Sequence, residues 1–115
     1  MDAKSPALAV IYSPTALDEL DEIWDWNLEH NGFNQAQAYR QFLLENINSL
    51  AVQHNSGRTV ATRSDLRFIL MKWSTSGYGH VAVYQVDAGA ATVTIAHVFH
   101  TSQNWRQKLK QETRA

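Results

Sequence analysis

The sequence predicts a single α+β domain in the order β-α-α-β-β-β-(α), with a helical hairpin packed on one face of a mainly antiparallel sheet. Residues 1–55 contain two long stretches whose apolar residues recur at helical spacing. Residues 66–99 contain three strand-like runs joined by short turns. A chain of 115 residues has room for one core and no second, so one domain is expected over 1–115, with a short basic C-terminal segment at 103–115.

Residues 7–12, Ala-Leu-Ala-Val-Ile-Tyr, are too few for a helix and rich in β-branched and aromatic residues, which predicts a strand. Ser13-Pro14 ends it and opens a helix. The Ser side chain accepts from the free amides of the first turn, and Pro lacks an amide that would have no partner there. Leu17, Leu20, Ile23, Trp24 and Leu28 recur at helical spacing, while Asp18, Glu19, Asp21, Glu22 and Asp25 take mainly the other face, near the positive end of the helix dipole. Asn31-Gly32, tolerant of positive φ, closes this helix. A second helix runs from about Asn34 to about His54, with Ala36, Tyr39, Leu43, Ile47 and Leu50 on one stripe. A link of about three residues folds the two helices back on each other, and their shared apolar face then needs a further surface.

Ser56-Gly57-Arg58 turns the chain into that surface. In residues 66–73, Leu66, Phe68 and Leu70 share one side and Arg67, Ile69, Met71 and Trp73 the other. Gly77 and Gly79 mark the next turn. Residues 80–86 and 92–99 repeat the alternation around Asp87-Ala88-Gly89, so the three strands should pair as an antiparallel meander. Residues 103–111 suit a short basic helix, of the terminal kind that often frays.

Charge is divided along the chain. Residues 1–55 hold Lys4 and Arg40 against eight acids, whereas residues 56–115 hold eight Lys or Arg against Asp65, Asp87 and Glu112, an asymmetry that points to a charged partner. The absence of Cys excludes disulfides, thiolate-ligated zinc and thiol catalysis. His30, His54 and His80 are scattered with no ligand spacing, and Gly77 and Gly79 precede no helix, so neither a metal, a cofactor nor a phosphate loop is expected. No apolar run approaches the ~20 residues that span a bilayer. The N-terminal Met-Asp-Ala-Lys-Ser-Pro lacks the apolar core of a signal peptide, so a cytoplasmic protein free of membranes is expected.

The ordered series resembles the RelE/ParE superfamily of bacterial toxins from type II toxin-antitoxin systems. It begins with Tyr12-Ser-Pro-Thr-Ala-Leu-Asp-Glu-Leu-Asp-Glu-Ile and continues with Gln37-Ala-Tyr-Arg-Gln-Phe-Leu. Leu50 ahead of Gly57-Arg58, Leu66-Arg67, Val83-Tyr84-Gln-Val and Val98-Phe99-His100 complete it, over residues 7–102 or so. The helices and the Gly-Arg before the meander look more like the ParE side, whose members poison DNA gyrase. The resemblance implies a growth-inhibiting toxin that is not itself an enzyme, neutralised by a cognate antitoxin in a hetero-oligomer. The alternatives are a RelE-like endoribonuclease that cuts messenger RNA on the ribosome, and a family member that binds its antitoxin without being toxic. Many relatives carry an Arg two or three residues after the terminal His; here Thr101-Ser102-Gln103 intervene before Arg106.

Candidate site residues follow from both lines of reasoning. Arg67 matches the family's strand-opening Arg, and its guanidinium suits phosphate or carboxylate recognition. Arg58 and Arg63, on the approach to that strand, and His100, Trp105 and Arg106 complete the target-binding set. Metal-independent RNA cleavage needs a base, an acid and cations for the phosphorane charge, which would fall to Arg67, Lys72 and His100, with Arg63, Tyr84 and His97 as further candidates. The odd spacing of His97 and His100 sends them to opposite faces of an unbroken strand. His97, between Ile95 and Phe99, reads as structural, and His100 as either target-facing or a strand cap. Trp26 and Trp105 fall outside the core stripes and suit a partner anchor.

Overall fold

The computed structural model describes residues 7–74 and 78–113. A short strand, β1 (Ala9–Tyr12), turns at Ser13 into an 18-residue helix, α1 (Pro14–Asn31). Ser13 caps it as its sequence position implies, its Oγ accepting the Ala16 N–H at 3.0 Å with Pro14 next in line. The helix stops at Gly32, whose φ of +86° favours glycine and whose N–H closes the last turn onto the Leu28 carbonyl at 3.2 Å. Helix α2 (Phe33–Asn48) starts at once, so the hairpin link is shorter than expected.

The buried stripe of α1 is Ala16, Leu20 and Asn27, with Ile23 beside it, whereas Leu17 and Leu28 are 48% and 42% exposed. The stripe is rotated by one position from the Leu17–Leu28 series, because the small, fully buried Ala16 lets the helix lie close on the sheet and turns Leu17 outward. On α2, Ala36, Leu43 and Ile47 are buried and Tyr39 partly so, as their spacing implies. That helix ends at Asn48 instead of His54. Ser49 donates its hydroxyl to the Asn46 carbonyl at 2.6 Å, and a single turn, α3 (Leu50–Gln53), carries Leu50 into the core.

The sheet has five strands in the order β1-β5-β4-β3-β2, with β2 (Arg58–Val60), β3 (Arg63–Met71), β4 (His80–Asp87) and β5 (Thr92–His100). β1 lies parallel to β5, from Ala9 opposite Thr92 to Tyr12 opposite Ile95, and every other pairing is antiparallel. Strand β2 adds an edge that the sequence did not reveal: three residues contain no readable alternation, and its register with β3 shifts between Thr59 and Val60. β3 opens at Arg63, ahead of Leu66, and closes at Met71, so Lys72 and Trp73 lie beyond it. The Gly77 part of the next turn lies outside the described residues.

One irregularity decides which side chains face which core. Val83 stands opposite His97 but Tyr84 stands opposite Ile95, so Ala96 is an extra residue in β5. Alternation resumes out of phase: Val93, Ile95 and Val98 face the helical hairpin, whereas Phe99, with His97 stacked on it at 4.4 Å, faces the other way. The unbroken pattern had grouped Ile95 with His97 and Phe99; the bulge separates them. Two cores result. Leu20, Leu43, Ile47 and Leu50 pack on Met71, Tyr84, Val93 and Ile95 on one face. On the other, Val60, Leu66, Val81, Val83 and Phe99 lie under α4 (Trp105–Thr113) through Trp105 and Leu109. Each fully buried side chain of this size contributes roughly 1.5–3 kcal/mol, so α4 is part of the fold and not a loose tail.

Candidate functional site

β1 ends at Tyr12 while β5 runs on to His100, which leaves the outer edge of β5 without a neighbouring strand beyond Ile95. The start of α1 covers that edge. The Ser13 N–H donates to the Ile95 carbonyl at 3.0 Å, the Ser13 hydroxyl to the Ala96 carbonyl at 3.0 Å, and the Val98 N–H to Glu19 Oε1 at 2.7 Å. The second oxygen of Glu19 lies 3.0 Å from His97 Nδ1, and Glu112 of α4 lies 2.8 Å from His97 Nε2. With a carboxylate on each ring nitrogen, the imidazole satisfies both only when protonated. Burial works against that charge, but the Glu19 and Glu112 carboxylates outweigh it and raise the His97 pKa above its ordinary value. A single buried imidazolium therefore joins α1, β5 and α4.

A cleft of about 810 Å³ opens between α1, α2 and the ends of β3, β4 and β5. On its floor the Tyr39 hydroxyl and His80 Nδ1 are 2.6 Å apart. His80 pairs across the sheet with His100, their rings edge to face at 5.0 Å. Burial, and then the nearby His100, push the His80 pKa down to about 4, so this ring is neutral at neutral pH. Burial pushes Tyr39 up to about 12, so its hydroxyl keeps its proton. His100 Nδ1 receives the Ser102 backbone N–H at 3.1 Å with the Ser102 hydroxyl at 2.6 Å, which leaves the proton of a neutral ring on Nε2. Three exposed aromatic residues line the cleft: Trp26, stacked on His30 at 4.1 Å; Trp73, stacked on Tyr39 at 5.1 Å; and Tyr78, 5.5 Å from His100.

The residues singled out by sequence are spread over three regions. Arg67 donates from Nη1 to the Gly57 carbonyl at 2.9 Å and is half-buried beside Tyr84. The Tyr84 hydroxyl donates to the His54 carbonyl at 2.9 Å and accepts the Gly57 N–H at 3.0 Å; burial first, against the Gly57 amide and Arg67, raises its pKa. Arg58 is exposed on β2, and Arg63 pairs with Asp65 at 2.9 Å. Trp105, expected to be open to a partner, is only 5% exposed because it fills the space between Phe68 and Phe99. Arg106 stacks over Phe68 and Trp105 at 5.1 and 4.2 Å.

Lys72 follows Met71 at the His80–His100 end of the sheet, but Arg67 does not converge with them. Arg67 stands opposite Tyr84, four residues along β3 from the Met71–His80 pair, so about 13 Å of strand separates it from the His80–His100 end. Sequence reasoning missed Tyr39, His80, Glu19 and Glu112: Tyr39 meets His80 over 41 residues, Glu19 meets His97 over 78, and Glu112 reaches back from a separate element, α4, with no local spacing to announce any of them. Among the described residues no group of three or more His, Asp or Glu is gathered to hold a metal ion.

The model of the family described as ParE toxin of type II toxin-antitoxin system, parDE, matches residues 10–105. A chain of the chromosomal ParDE toxin-antitoxin system from P. aeruginosa is similar in structure, with a TM-score of 0.68 and 18% identity over 83% of this chain and 97% of that one. A mutant of the E. coli toxin RelE in its free state is similar with a TM-score of 0.53 and 19% identity, over 91% of this chain and 97% of that one. At such identities the likeness is one of fold. No curated protein matches the sequence.

Proposed function

The chain belongs to the ParE toxin family of type II toxin-antitoxin systems, and from that membership we propose that it arrests bacterial growth by poisoning DNA gyrase and is neutralised by a cognate antitoxin. The observation that carries this reading is the family match itself, which runs from β1 to the first residue of α4. The division of charge supports a charged partner, and the exposed Arg58 and Arg106 are the bases best placed to meet a target. Arg67 and Trp105 then act from within, by fixing the Gly57 turn and the platform under Arg106. His100 contributes through the cleft, and Arg63 through its pair with Asp65. The site of action is the cytoplasm, where gyrase works; among the described residues no helix is long and apolar enough to cross a membrane.

The ribosome-dependent endoribonuclease reading has one feature in its favour, the His80–His100 pair, which offers two imidazoles in one cleft. Against it, Arg67 lies apart from that pair, and among its described lining residues the cleft holds Glu19 and Glu22 against one Lys or Arg, Lys108. Induced expression in bacteria tests the proposal. Growth should stop, plasmid DNA should lose negative supercoils, and co-expression of the neighbouring gene's product should restore both. Codon-dependent cleavage of translating messages with plasmid topology unchanged would overturn it in favour of the ribonuclease. A stable complex without any growth arrest would make the chain a non-toxic antitoxin binder.

A further inference from the structure

We propose that the cleft at the ends of β4 and β5 receives an arginine side chain, presented by an otherwise apolar segment of the protein partner. The inference rests on the reading that this chain is held by an antitoxin, and it names the chemistry that the antitoxin brings to this place.

Exposed aromatic rings make the first part of the argument. Trp26, Trp73 and Tyr78 are 57%, 48% and 74% exposed, and all three line the same cleft. Large aromatic residues left together in water mark a contact surface, whereas one alone does not. A guanidinium is planar, weakly hydrated and attracted to such ring faces.

Charge makes the second part. Of the acids in the cleft, Glu19 is occupied by His97 and the Val98 amide, but Glu22 is exposed and makes no hydrogen bond or ion pair among the described residues. On the floor, His80 is only 8% exposed and uncharged, and its Nδ1 is taken by Tyr39, so it sets no positive charge against an incoming cation. Lys108 is the one Lys or Arg among the described lining residues. A nucleic acid strand would stack on the same rings, but its phosphates would meet Glu22 with little to neutralise them, on a helix that also carries Asp18, Asp21, Asp25 and Glu29. The arrangement therefore favours a peptide with a central cation over a polyanion. An acidic antitoxin segment on the basic half and an arginine in this cleft fit one partner, because the toxin's own charge is divided in the same way.

Two measurements test the proposal. In the first, the folded chain is titrated with a capped peptide Ser-Leu-Arg-Leu-Ser, the same peptide with Glu in place of Arg, and hexauridylate, while the indole N–H signals of Trp26 and Trp73 are followed by NMR. The Arg peptide should shift both signals saturably, the Glu peptide neither, and Glu22→Gln should weaken the Arg peptide roughly three- to tenfold. Equal responses to the two peptides, a stronger response to hexauridylate, or no effect of Glu22→Gln would overturn it. In the second, wild type and Trp26→Ala, with folding checked by circular dichroism, are compared for affinity to the neighbouring gene's product. A loss of tenfold or more in the variant supports the cleft. Unchanged tight binding removes the cleft proposal and leaves the toxin-antitoxin reading standing, whereas no binding by wild type removes that reading.

Discussion

Gly57 is fixed by a close approach that no side chain would permit. A Cβ there would run into the Tyr84 hydroxyl and come within 2.9 Å of the Phe68 carbonyl. Gly57→Ala should therefore destabilise the protein by roughly 2 kcal/mol, read as a lower urea midpoint, because the Tyr84 hydroxyl must leave either His54 or Gly57 to make room. Arg67 belongs to the same cluster. From sequence it reads as a surface residue whose replacement changes stability by under about 1 kcal/mol. Its guanidinium instead holds the Gly57 carbonyl, so Arg67→Gln should cost about 1–2 kcal/mol, while Arg58→Gln, exposed, should stay within about 0.5 kcal/mol. Equal urea midpoints for the two variants would show that the hydrogen bond to Gly57 contributes nothing. Arg67 was expected to open its strand but stands inside β3, which opens at Arg63, and its partner lies ten residues back in a turn, a contact that no local pattern encodes.

Between elements, two buried histidines act in opposite directions on stability. His97 has a raised pKa in the fold, so its contribution is complete below the ordinary value of 6.5 and is lost as pH rises through the folded value. His80 has its pKa lowered to about 4, so its contribution is complete above 6.5 and is lost as pH falls toward 4. Thermal stability should thus peak near neutrality. His97→Gln should flatten the alkaline limb of the melting-temperature profile and His80→Phe the acidic limb; an alkaline limb unchanged by His97→Gln would show that the Glu19–His97–Glu112 link carries no linked proton. Helix α4 depends on that link and on its own packing. Leu109→Ala should cost about 2–4 kcal/mol, and truncation after His100 should expose Phe68 and Phe99 and unfold the chain, so it cannot test target binding by itself. The helices were readable because capping and 3.6-residue periodicity are local: Ser13, Pro14 and Gly32 each do what their chemistry dictates. Strand β2, the Ala96 bulge and the docking of α4 were not, because each is decided by a partner strand or core distant in sequence.

For the molecule as a whole, the fold and the family were visible in the order of short motifs, while the cleft was not, since Tyr39, His80 and His100 meet only after the hairpin closes on the sheet. The acidic half lies largely on the hairpin, and β2, β3 and α4 carry most of the bases of the other half. Two surfaces of opposite sign on one small domain suit a protein that must meet both a target and an antidote, since complementary charge speeds association and selects partners. The measurement that bears most directly on the proposed activity uses purified components: DNA gyrase, relaxed plasmid and ATP, with the toxin added alone or after preincubation with the neighbouring gene's product. Loss of supercoiling or accumulation of cleaved plasmid with the toxin alone, reversed by the antitoxin, is the expected result. Full gyrase activity at a large molar excess of a folded, growth-inhibiting toxin would contradict it.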